Sequence, residues 1–252
     1  MFLLYPVQME RLEMGDMREF FASFIPKHVS DRCFLNGYQM LAWIKVPRRT
    51  RNNNYIVNCE RLLNANWSFW DNPSSYIENQ KEWQHICFGK GTHHNMSYSG
   101  CEVIASFNAL KALSGCSSPE QMAQLISYYE AHGAALWGEF GTSPCAVEKY
   151  FKKNGFSVMS AYGEDQAAVD EIGRKYRVMI ATVYNDRTDI MKQVHTVCIT
   201  ADRGKGYVLH NAYFINRSGV YAQSIPYITL TEAICHVSKY EPKLIYLIGV
   251  DQ

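Results

Sequence analysis

The chain has no uncharged apolar run approaching the ~18 residues that a membrane-spanning helix needs. That excludes a bilayer-spanning segment of that kind and predicts no membrane insertion. Charge of one sign is also missing: net charge is +1, so no broad field invites nucleic acid or an anionic surface. The one basic cluster, Arg48-Arg49-Thr50-Arg51, runs into Asn52-Asn53-Asn54 and reads as a solvated loop tip. No Cys-x-x-Cys pair occurs among the eight cysteines, and no phosphate-binding glycine loop, internal repeat or low-complexity tract is present. The cysteines are scattered singly, against a disulfide framework, and no ligand cluster stands at metal spacing. No metal or organic cofactor is therefore expected. The N-terminus, Met1-Phe-Leu-Leu-Tyr-Pro6 with Glu10, Arg11 and Glu13 close behind, lacks the pattern of a signal peptide. These absences predict a cytoplasmic protein with reduced thiols.

What is present divides at about residue 90. Residues 1–90 hold four of the five tryptophans and many asparagines. Within them Cys33 to Val46 reads as strand, Arg48 to Asn54 as loop, and Asn54 to Leu63 as a second strand or short helix. This region is expected to form an N-terminal lobe packed on the main domain, residues 91–252. In the latter, Ser118-Pro119-Glu120-Gln121 gives a capping serine, a proline at the first helical position and a capping-box glutamine. Ser143-Pro144 opens another helix with Gly155 as its stop. Residues 164–176 and Thr229–Lys239 read as helix. Phe156–Ser160, Val178–Tyr184, Val194–Ala201, Gly206–Ala212 and Leu244–Val250 read as strands. Helices first and strands later is the pattern of an α+β domain.

The chemistry points to Cys101. It follows Gly100 where a loop turns into helix, with Val103, Phe107 and Leu110 at helical spacing behind it. A thiol in the first helical turn meets unpaired N–H groups and the positive end of the helix dipole, which favour the nucleophilic thiolate. Glu102, the next residue, raises the thiol's pKa if it turns towards the sulfur. Cys145, after Ser143-Pro144, is the rival nucleophile, without a comparable loop of oxyanion donors. A nucleophilic thiol needs a base, and the base an orienting group. Val194–Ala201 and Gly206–Ala212 flank Asp202-Arg203-Gly204, which fits a three-residue hairpin loop with Gly204 at positive φ. That register sets Ile199 opposite Tyr207, Val197 opposite Leu209 and His195 opposite Asn211. The Asn211 carboxamide then fixes the His195 tautomer.

The order of Cys at a helix start, His on a strand and Asn on the next resembles that of papain-like cysteine peptidases. The closest branch resembles the small bacterial peptidases related to the double-glycine leader peptidases. The resemblance covers roughly residues 90–250 and includes Gly141-Thr-Ser-Pro144 ahead of Tyr150-Phe-Lys-Lys-Asn-Gly155. It implies a papain-like fold and a cysteine peptidase that cleaves a peptide or protein substrate through an acyl-enzyme, such as a precursor peptide. Cys101 attacks, His195 takes and returns the proton, and Asn211 orients the ring. Asn95, six residues before Cys101 at the place of the family's glutamine, stabilises the oxyanion with the Cys101 N–H. The alternatives are an acyltransferase or transpeptidase on the same fold, or a catalytically inactive peptide-binding protein.

Overall fold

A computed structural model describes residues 30–65, 67, 69–91, 93–115, 118–185, 194–202, 204–238 and 244–252. The expected lobe's first 29 residues lie outside these.

The first surprise is helix where strand and loop are expected. Asp31–Leu41 forms α1 and Arg48–Leu63 forms α2. In α1, Phe34, Leu35, Tyr38 and Leu41 are buried, a spacing of one helical face. Its start is capped by Ser30, whose side chain accepts from the Cys33 N–H. Helix α2 takes in the segment expected as a loop and turns a polar stripe inward: Asn54, Asn58 and Leu62 are buried at four-residue intervals. Asn58 donates to the Cys87 carbonyl and accepts from the Cys87 N–H, each at 2.8 Å. Asn54 donates to the Gly89 carbonyl at 2.9 Å and to Glu130 at 2.6 Å. These carboxamides pair main-chain groups of residues 87 and 89 on the side away from the isolated bridge of Cys87 to Asn95 and the Phe88 N–H bond to the His94 carbonyl.

The short α3, Met96–Ser99, leads through Gly100 into α4, Cys101–Ser114. Then follow α5, Pro119–His132, and α6, Pro144–Lys153. The expected capping box of Ser118 with Gln121 opens α5. Beyond residue 155 the chain alternates β1 (Ser157–Tyr162), α7 (Gln166–Lys175), β2 (Val178–Tyr184), β3 (Val194–Asp202), β4 (Gly206–His210), α8 (Leu230–Val237) and β5 (Leu244–Asp251). A capping box of Thr229 with Glu232 starts α8. The strands form one antiparallel sheet in the order β1-β5-β2-β3-β4, so the architecture is mixed α+β.

Alternation along the strands gives the sheet two apolar faces. Val178, Ile180, Cys198, Ile248 and Val250 join one core with the helical layer, including Val103 and Phe107 of α4. That core also takes in Phe34, Leu35 and Leu62 of α1 and α2 with Trp83, Ile86 and Phe88, so it runs without a break across residue 90. Met179, Ala181, Val197, Ile199, Leu209 and Leu247 make the other face, closed by Val169 and Ile172 of α7 and Ala233 and Ile234 of α8.

The β3–β4 register differs from the expected one. Ile199 faces Leu209, Cys198 faces His210 and Asp202 faces Gly206. The positive φ lies at Gly206 (101°), and Gly204 has none. The cause is a third segment. A bridge joins Tyr207 to Tyr227, and a Cβ at Gly206 would stand 2.1 Å from the Tyr227 oxygen. Only glycine lets the two backbones approach there. The ladder ends at His210, and Asn211 turns away with φ 62°.

Candidate functional site

Gly100 joins α3 to α4 at a kink in which its N–H donates to the Met96 carbonyl at 2.9 Å. A Cβ there would lie 2.5 Å from that carbonyl oxygen. The close turn sets Cys101 as the first residue of α4, with no side chain capping the helix.

Helix α4 packs against β3, and Cys101 meets the strand at Thr196. The buried sulfur accepts a hydrogen bond from the Thr196 main-chain N–H and lies 3.1 Å from Glu102 Oε2. The other carboxyl oxygen of Glu102, Oε1, accepts from Thr196 Oγ1 at 3.1 Å. Thr196 Oγ1 in turn lies 3.0 Å from Thr182 Oγ1 on β2. The Thr142 N–H completes the hold on the carboxylate, together with the N–H of Glu102 itself. Glu102 therefore has one oxygen on the sulfur and the rest of its carboxylate tied to β3 and to the turn before α6.

This environment reverses the electrostatics expected of a thiol at a helix start. Burial, then the Glu102 charge, pushes the Cys101 thiol well above the ordinary range, against the two main-chain N–H groups that favour thiolate. Burial likewise pushes the Glu102 carboxyl up to about 7, despite its hydrogen bonds. Cysteine at a helix start is here protonated at neutral pH. The rival Cys145 thiol is also raised, first by burial and then by Glu148.

His195 is buried on β3, in the odd-numbered set with Val197 and Ile199, next to the Thr196 that binds the sulfur. Its Nε2 lies 2.7 Å from the main-chain oxygen of Asn211, which makes Nε2 the protonated nitrogen. The ring stacks on Tyr213 at 5.2 Å between centroids, with Lys81 Nζ 5.3 Å from the centre of the Tyr213 ring. Continued past His210, the observed register pairs position 195 with 213, the pair that stacks.

Asn211 thus stands beside His195 but acts through its carbonyl. Its carboxamide is committed to Gln80: Oδ1 accepts from the Gln80 N–H at 3.0 Å, and Nδ2 donates to Gln80 Oε1 at 3.2 Å. Gln80 Nε2 passes the connection to the Ser97 carbonyl at 3.0 Å. The Asn211 N–H donates to Glu78 Oε2, while Glu78 Oε1 lies 2.9 Å from His210 Nδ1. Asn95 caps α3, its side-chain oxygen accepting from the Tyr98 N–H at 3.0 Å.

Sequence spacing did not single out Thr196, Gln80, Glu78 or Tyr213. Gln80 and Glu78 lie some 130 positions from Asn211, and no local pattern announces such a pairing. Thr196 had a signal: on a strand that carries His195, the next residue faces the opposite side of the sheet, where a helix must pack.

Among the described residues no group of three or more His, Cys, Asp or Glu is placed to hold a metal ion, and no helix is long and apolar enough to cross a membrane. The described cysteines form no disulfide with one another. Comparison of the chain with protein-family models, with curated proteins and with solved structures finds no match.

Proposed function

We propose that the protein is a thiol-dependent acyl-transfer enzyme, a cysteine peptidase of papain-like fold, with Cys101 as its nucleophile. The observation that carries this reading is the joint at the start of α4. A thiol there is hydrogen-bonded both to an acid–base group and to the main chain of the strand that carries His195. A structural cysteine requires neither partner. Cys101 attacks an amide or thioester carbonyl to give an acyl-enzyme. The Cys101 N–H and the carboxamide nitrogen of Asn95 supply the oxyanion donors. His195, its Nε2–H held by the Asn211 carbonyl, draws the proton from the water that releases the acyl group. The substrate is a peptide or protein, such as a precursor peptide, and the protein acts in the cytoplasm.

A second reading has its own support: burial and the raised thiol favour a catalytically silent peptide-binding protein. p-Nitrophenyl acetate separates the two. An acyl-transfer enzyme releases p-nitrophenol with a burst and carries acetyl on the peptide containing Cys101, and Cys101→Ala loses both. Acetyl confined to the exposed Cys33 and Cys235, with Cys101 untouched, overturns the proposal. Transfer of the acetyl group to an added primary amine in preference to water identifies an acyltransferase in place of a hydrolase.

A further inference from the structure

The carboxylate beside the sulfur has a geometry that packing alone does not require. A buried acid next to a buried thiol costs folding free energy unless its oxygens are paired. Here they are paired in a directional way. Oε2 lies on the sulfur at 3.1 Å, and Oε1 is held by Thr196, itself braced by Thr182. Nucleophile, base and orienting group stand in line, the arrangement that activates serine or cysteine elsewhere with imidazole as the base.

From this line of contacts we propose that Glu102 is a catalytic residue, the group that accepts the Cys101 proton in the acylation step, with Thr196 as its positioning residue. The proposal rests on the reading of Cys101 as nucleophile.

The proton leaves Sγ for Oε2, turning thiol and carboxylate into thiolate and carboxylic acid. The sulfur lone pair forms the S–C bond while the carbonyl π pair moves to oxygen. When the carbonyl re-forms, the C–N bond breaks, and the leaving nitrogen takes the proton back from Oε2. Glu102 ends ionised, as it began. Both anionic forms sit on the first two residues of α4, where the helix dipole favours negative charge on either partner.

Thiol and carboxyl at this distance hold their protons as a pair. With one proton left on the pair, a fixed fraction of molecules carries it on oxygen and exposes thiolate. The thiolate fraction therefore follows the loss of the pair's first proton, near the value of about 7 to which burial raises Glu102. Among the described residues, the titratable groups facing the pair are Tyr38 of α1, Tyr129 of α5 and Tyr213, all pushed above the ordinary tyrosine range by burial and so neutral through this window. His195, the residue before Thr196 on β3, points to the opposite side of the sheet from the Thr196 side chain that holds Glu102.

The test is the rate of Cys101 alkylation by limiting iodoacetamide from pH 5 to 10, read by peptide mass spectrometry on the full chain. The parent should show an inflection near pH 7 and a plateau above it. Glu102→Gln should slow labelling at pH 7 by about tenfold or more and move the inflection above that of an ordinary thiol near 8.5. If Glu102 acts only as a repelling charge, the same substitution lowers the thiol's pKa and speeds labelling at pH 7, which overturns the proposal. Thr196→Val keeps both reacting groups and releases Oε1. It should slow labelling at pH 7 by a smaller factor and blunt the inflection, and parental labelling in this variant counts against the positioning role. Should Glu102→Gln fail to fold, Glu102→Asp, which withdraws the carboxylate from the sulfur, takes its place with the same expected slowing. Loss of this proposal alone leaves Cys101 acetylated by p-nitrophenyl acetate in the parent; failure of the nucleophile reading leaves it unacetylated.

Discussion

The ring of His195 is held by the backbone of Asn211, Nε2 to carbonyl oxygen at 2.7 Å, while the Asn211 side chain is spent on Gln80. Asn211→Ala should therefore leave the His195 tautomer intact and act on stability. The substitution leaves the buried Gln80 N–H unpaired, a cost of about 1–3 kcal/mol. Alanine at a φ of 62° adds about 1 kcal/mol. Urea unfolding should show a loss of this size, with p-nitrophenyl acetate turnover of the folded fraction changed less than threefold. A collapse of turnover at unchanged stability would return the orienting role to the carboxamide.

Gly100 is the tightest point of the site. Because a Cβ would stand 2.5 Å from the Met96 carbonyl oxygen, Gly100→Ala must open the α3–α4 joint. The expected result is a loss of about 2 kcal/mol or more in stability, together with a changed alkylation rate at Cys101. Parental stability and labelling would show that the joint gives way freely.

The two ends of the Asn95 carboxamide separate its two roles. Asn95→Asp keeps the oxygen that caps α3, so the fold should be nearly as stable as the parent. It removes the nitrogen proposed as oxyanion donor, and turnover should fall by about 10²-fold. Asn95→Ala should lose both, with about 1 kcal/mol of stability. An aspartate variant with parental turnover places the donor elsewhere.

Burial holds Glu102 and Glu130 up at about 7 and Asp31 at about 6, while unfolded carboxyls titrate near 4. The native chain thus binds more protons than the unfolded one between those values. Acidification from pH 8 towards 5 should stabilise it, and raising the pH through 7 should remove that gain, by up to about 1.4 kcal/mol per pH unit for each full proton. Glu130 offers the cleanest check, because Gln can still accept at Oε1 from Asn54 and Gly89. Glu130→Gln should flatten the pH dependence of the urea midpoint. An unchanged slope would mean that Glu130 is ionised at no cost.

The strands and helices after residue 100 were legible because each carries its own signal. Serine or threonine caps open α5 and α8, and β2 is a run of buried β-branched and apolar residues bounded by polar ones. Position 101 at a helix start was legible for the same reason. The region before residue 90 was not. Helix α2 buries asparagines, and their partners are main-chain groups of residues 87 and 89, so composition alone reads as loop. The hairpin register failed by a comparable route: the glycine at positive φ is set by Tyr227, which no window around Gly204 contains. The direction of the Glu102 side chain depends on Thr196 and Thr142, 94 and 40 positions further on, and only the folded chain fixes it.

The sheet order carries a consequence for how the molecule comes into being. The last described strand in sequence, β5, lies between β1 and β2, and among the described residues β1 has no other neighbour in the sheet. During vectorial synthesis β1 and α7 leave the ribosome long before the strand that will join them to β2. The platform under α4 closes only when residues 244–251 arrive, so the pairing of Cys101 with Thr196 belongs to a late stage of folding. A nascent chain stalled before β5 should expose Cys101 to alkylation at the rate of an unstructured thiol. The same chain released and completed should withdraw it.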